Sequence, residues 1–100
     1  MATSEQTQQW FDEFEDEFLE SARIPKDERR HERNDIAAFL LIAERVPVKG
    51  HTDIVISAEH DEIWLSGPEY GEDWSFTRED VLTLVRLGVR FDDESFCMFV

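Results

Sequence analysis

Five carboxylates, Asp12, Glu13, Asp16, Glu17 and Glu20, recur at three- and four-residue intervals near the start of the chain. Their chemistry is that of fixed anions. Between them stand Trp10, Phe11, Phe14, Phe18 and Leu19, with Ala22 continuing the series. At 100° per residue the two sets fall on opposite sides of a helix, with Glu15 near the apolar edge. The polar side holds no cation. Like charges four residues apart, Asp12/Asp16 and Glu13/Glu17, cost roughly 0.2–0.5 kcal/mol each. A solvated helix face normally mixes Glu with Lys to avoid this. As one helix, Asp12 to Glu20 would span about 12 Å at ~1.5 Å per residue. That is one charge per roughly 3 Å, close to the ~3.4 Å phosphate repeat of a DNA strand. The ridge therefore has the spacing a phosphate mimic needs.

A second acidic territory contains Glu59, Asp61 and Glu62, then Glu69, Glu72 and Asp73. Trp64, Tyr70 and Trp74 are interleaved with these acids. Aromatic side chains beside charges are typical anchors of protein interfaces. The fourteen residues named in the two territories, from Asp12 to Trp74 but without Glu15, form the candidate partner-binding set.

Other chemistries find weaker footing. His31, His51, His60 and Cys97 are scattered, without the paired spacing of a metal site. His60-Asp61-Glu62 offers ligands, but it reads as a polar turn. Paired carboxylates for acid–base catalysis require one with a raised pKa in a cleft, and nothing in the sequence marks one. Cys97 lies between Phe96 and Met98, which suits an inert strand residue better than an activated nucleophile. The four glycines fall in separate turns, so no phosphate-cradling loop is present. The short basic run Arg29-Arg30-His31-Glu32-Arg33 is interrupted by Glu32 and suits internal pairing with the acids. The expectation is a protein that is not an enzyme and uses neither metal nor cofactor.

The elements that position these residues read as one α+β domain: an antiparallel sheet packed against three helices. One hundred residues suit a single core, and eight Phe, three Trp and one Tyr supply it despite a net charge of −14. Residues 1–8 are polar and expected to fray, with Thr3 or Ser4 capping a helix that runs to about Ala22. Pro25 to Arg33 has no apolar residue; a solvated loop and the first polar turn of the next helix both fit. Asn34 is placed to cap Asp35 to Arg45, apolar nearly all round and so expected as the central rod of the core. Thr52 to Ser57 and Glu62 to Ser66 read as a hairpin turning at Ala58 to Asp61, with Ile54 and Ile56 on one face of the first strand. In the second strand Trp64 faces away from Ile63 and Leu65. Thr77-Arg78-Glu79-Asp80 resembles a capping box opening a helix that ends at Gly88. Two strands follow, around Asp92-Asp93-Glu94. The apolar end, Phe96 to Val100, is available to pair with a second copy.

Charge is unevenly spread. Residues 1–20 carry −7 and residues 51–80 carry −8, separated by a stretch of +2 at residues 21–34. Such a field repels nucleic acid and anionic lipid and attracts basic protein surfaces. A single cysteine allows no internal disulfide. The N-terminus shows no signal-peptide pattern, and the apolar run Ile36 to Ala43 is too short to span a bilayer. A cytoplasmic protein is expected.

From His60 onward, His-Asp-Glu-Ile-Trp-Leu-Ser, and then Thr77 to Val100, the chain resembles small uncharacterised phage and prophage proteins. The resemblance covers about 40 residues and carries no catalytic motif, so it implies a mobile-element origin. In size and charge the chain is also similar to acidic phage proteins that block bacterial defence, including anti-CRISPR proteins and other DNA mimics. That likeness implies a partner: the basic nucleic-acid-binding surface of a host CRISPR–Cas complex, in the host cytoplasm. The competing readings are a regulatory module binding through Trp64, Tyr70 and Trp74, and acids that serve only solubility. A halophile's surface would also be acidic and poor in lysine, and here lysine is confined to Lys26 and Lys49, but the abundant large apolar residues and scarce glycine speak against it.

Overall fold

The computed structural model describes residues 3–45, 55–65, 75–92 and 95–99. Helix α1 is Ser4–Glu13, followed by tight 3-10 turns at Glu15–Glu17 and Ser21–Arg23. Helix α2 is Asn34–Arg45. Strands β1 (Val55–Glu59) and β2 (Glu62–Leu65) precede helix α3 (Arg78–Arg86), and β3 (Val89–Asp92) and β4 (Ser95–Phe99) complete the chain. The four strands form an antiparallel sheet in the order β1-β2-β4-β3. The α+β expectation holds.

Strand register sorts the sheet into two faces. Ile63, Met98 and Val89 lie in one row across it, and Leu65, Phe96 and Phe91 in the next. This face packs against the helices and forms the core with Phe11, Phe76, Val81, Leu84 and Val85. Its centre is aromatic: Phe11 stacks on Phe91 at 5.7 Å, and Phe96 tilts against Phe76 at 5.1 Å. The opposite face presents the row Trp64, Cys97 and Arg90. Trp64 thus faces away from Ile63 and Leu65, as alternation requires.

The start of α3 follows its local sequence. Thr77 Oγ1 accepts from the Asp80 N–H at 3.1 Å, and Asp80 Oδ2 accepts from the Thr77 N–H at 3.0 Å. Such a box satisfies two helix-end donors, and an N-cap is typically worth about 1 kcal/mol. Gly88, at φ 94°, ends the helix in the left-handed region that glycine adopts freely.

Several expectations are corrected. The first helix does not reach Ala22. It ends at Glu13, and Leu19 turns the chain at φ 63°. The Leu19 N–H donates to the Val85 carbonyl at 3.1 Å, which also accepts from the Gly88 N–H at the end of α3. That tertiary bond replaces further turns of a helix already loaded with like charges. Residues 1–8 are not all frayed: α1 begins at Ser4 under a Thr3 cap, and Thr7 is fully buried.

Helix α2 is not the central rod. It buries Ala37, Ala38, Leu41 and Ile42 but leaves Leu40 43 % exposed. Helix α3 is central, packing on α1, α2, β3 and both 3-10 turns. Nor does Asn34 cap α2. The Arg33 carbonyl accepts from the Ala37 N–H at 2.9 Å, so the helix opens one residue earlier, and Asn34 Oδ1 receives Arg29 Nη2 at 2.6 Å. Arg29 also donates to the carbonyls of His31 and Glu32, which makes the 25–33 segment a stapled loop. The first hairpin turns on His60 and Asp61 alone, two residues beyond the expected strand end, with His60 at φ 55°. Ile54, and with it the expected facing of Ile54 and Ile56, lies outside the described residues. Finally, β4 lies between β2 and β3, so Phe96 to Phe99 are not an edge open to a second copy, and Val100 lies outside the described residues.

Candidate functional site

The acidic ridge is divided by arginines. Glu13 is engaged by Arg78 of α3 (Nη2–Oε1 2.7 Å). Glu17 lies between Arg86 of α3 (Nη2–Oε1 2.8 Å) and Arg23 of the second 3-10 turn. Glu20 stands 3.9 Å from Arg23. The hydrogen bond from Arg78 lowers the Glu13 pKa below its usual 4.5, against the opposing effect of desolvation. The hydrogen bond from Arg86 does the same for Glu17, which desolvation also opposes. These three acids therefore fasten the N-terminal segment to α3 and to itself.

The remaining acids of the segment behave differently. Asp12 accepts a hydrogen bond from Gln8 Nε2 at 3.1 Å. Among the described residues, neither Asp12, Glu15 nor Asp16 makes an ion pair, and all three are exposed. The evenly spaced carboxylate ladder does not form, because the chain leaves the helix at Glu13 and internal cations claim three of its five members.

In the second territory Glu59 and Asp61 are exposed at the hairpin turn. Glu62 is half-buried and engaged by Arg90 across β4. Trp64 is half-buried on the outer sheet face. Glu69, Tyr70, Glu72, Asp73 and Trp74 lie outside the described residues. Among the described residues, the acids of the first territory and those of the hairpin are not brought together. Helix α1 packs at β3, one edge of the sheet, and the hairpin forms the other edge. At ~4.8 Å per strand the outermost strands stand roughly 14 Å apart.

Two features escaped the sequence reading. The first is a groove of about 390 Å³ beside α1 and β3, floored by Phe11, Phe18, Val89 and Phe91 and rimmed by Asp12 and Glu15. Glu15, expected near the apolar edge, is at that rim although its backbone is no longer α-helical. The second is a hollow of about 470 Å³ that includes Leu19 and Phe99, 58 % and 60 % exposed. A helical wheel assigns Leu19 to the core, and its left-handed backbone turns it out instead. Arg90 lies over the Phe99 ring at 4.4 Å.

Cys97 is fully buried, and burial raises its thiol pKa to about 11, against the favourable field of Arg90. That is the environment of an unreactive thiol. Among the described residues no group of three His, Cys, Asp or Glu side chains converges on a metal-sized site, and no helix is long and apolar enough to cross a membrane. Comparison of the chain with protein-family models, curated proteins and solved structures gives no match.

Proposed function

We propose that the protein is a non-enzymatic inhibitor that presents an anionic surface to a basic nucleic-acid-binding groove of a host complex. CRISPR–Cas complexes are the target class implied by the phage-like C-terminal stretch and by the size and charge of the chain. The observation that carries this reading is the division of the ionic side chains. Arg23, Arg30, Arg45, Arg78, Arg86 and Arg90 are each engaged by a carboxylate of the same molecule. Asp12, Glu15, Asp16, Glu59 and Asp61 are exposed without such a partner among the described residues. With six arginines paired inside the molecule and a net charge of −14, the outward field is anionic. Such a field steers association with a cationic surface and competes with phosphate there. The mimicry rests on charge sign and density, since the regular phosphate-like spacing is lost.

The test is displacement of a fluorescent DNA duplex from a purified CRISPR surveillance complex. The protein displaces DNA at low salt, and its potency falls by roughly tenfold or more as salt rises from about 50 to 300 mM. Failure to displace DNA at large excess and low salt defeats the reading. A second reading has its own observation: Trp64 and the 60 % exposed Phe99 share the outer sheet face, opposite the helices. If capture of a target is indifferent to salt and lost on Trp64→Ala, that face is the interface.

A further inference from the structure

We infer that the groove beside α1 and β3 receives a partner segment carrying one large apolar side chain flanked by lysine or arginine. This deepens the reading of an anionic protein that binds a basic surface, and rests on it. The groove combines two properties that the rest of the acidic segment separates. Its floor is apolar, from Phe11, Phe18, Val89 and Phe91. Its rim is Asp12 and Glu15, two of the acids that the internal arginines leave alone, while their neighbours Glu13 and Glu17 are consumed by Arg78, Arg86 and Arg23.

Arg90 also lines the groove, but its guanidinium is held by Glu62 and lies over Phe99, so a cation is already paired there and does not neutralise the rim. Ligand-sized pockets run from about 300 to 1,000 Å³. At about 390 Å³ the groove admits one or two side chains and is too small for a whole helix. The charge of the rim selects the flanking residues. Exposed ion pairs by themselves contribute little and weaken with salt, whereas an apolar side chain entering the floor keeps its contribution. The groove thus adds a salt-resistant anchor to a salt-sensitive surface.

Three synthetic peptides separate these contributions: one with a central Phe between two pairs of lysines, one with Gly in place of the Phe, and one with Glu in place of the lysines. Each is titrated into the isotope-labelled full chain and followed by amide resonances. The Phe–Lys peptide moves the resonances of Phe11, Asp12, Glu15, Phe18 and Phe91. Replacing its Phe by Gly weakens binding about tenfold, the loss expected for one buried aromatic side chain, and the ratio persists at high salt. Asp12→Lys with Glu15→Lys weakens the Phe–Lys peptide at least about fivefold at low salt, with the remaining spectrum unchanged. The Glu peptide does not bind. Equal binding of the Phe and Gly peptides overturns the groove inference and leaves the electrostatic reading, which the DNA-displacement assay tests separately. Shifts that bypass the groove, or no binding of the Phe–Lys peptide, also overturn it.

Discussion

Leu19 lies directly over Gly88: a β-carbon built on residue 88 would stand 2.6 Å from Leu19 Cδ2. Both residues are left-handed, at φ 63° and 94°, and both backbone N–H groups donate to the Val85 carbonyl, at 3.1 and 3.0 Å. The end of α3 and the turn after α1 are thereby built as one unit. Gly88→Ala meets both the left-handed backbone and the leucine, and should lower stability by about 1–3 kcal/mol. In a Leu19→Ala background the steric part disappears, so the same substitution costs less. Denaturant unfolding of the four members of this cycle gives the coupling directly; strictly additive costs would show that the two side chains do not compete for space.

The ionic division predicts that charge reversals separate into two kinds. Glu13→Lys with Glu17→Lys places lysines against Arg78, Arg86 and Arg23, and should lower the thermal midpoint by several degrees. Asp12→Lys with Asp16→Lys breaks no internal ion pair and relieves self-repulsion, so its midpoint stays level or rises. Only the second pair should weaken DNA displacement while leaving the fold unchanged. Calorimetry beside the displacement assay checks both halves. Equal loss of stability from the two double variants would contradict the division.

The acid limb of stability should report Glu17. Its pKa is lowered from 4.5, chiefly by the hydrogen bond from Arg86. A group with a depressed folded-state pKa contributes stability above its unfolded value and loses it as pH falls through the folded value. The stability difference between the native chain and Glu17→Gln should therefore be level above about pH 4.5 and shrink below it. Urea unfolding of both proteins from pH 7 to pH 3 measures this. A difference unchanged across that range would mean that Glu17 gains nothing from Arg86.

Cys97 should be silent in the folded protein. It has no exposed surface, and its thiol pKa is pushed up to about 11. A disulfide reagent at pH 8 should modify it only as fast as the chain unfolds, with full reaction in denaturant. Rapid labelling under native conditions would show that the outer face of the sheet opens around Trp64 and Arg90.

What the sequence determined alone are the features set within a few residues of chain. The Thr77–Asp80 cap, the glycine at 88 and the alternation that turns Trp64 from Ile63 follow from backbone geometry and one or two side chains. The apolar positions 10, 11, 14 and 18 are legible too, because each turns toward the core although the α-helix ends at Glu13. Tertiary structure decided the fate of the acids. Glu13, Glu17 and Asp12 look alike along the chain, and they differ because Arg78 and Arg86 arrive more than sixty residues later to claim the first two. The helix ends at Glu13, not Ala22, for a related reason: the Leu19 N–H finds the Val85 carbonyl, a partner that no local pattern contains. Local propensities differ by tenths of a kcal/mol, and a long-range hydrogen bond or ion pair is enough to choose among them.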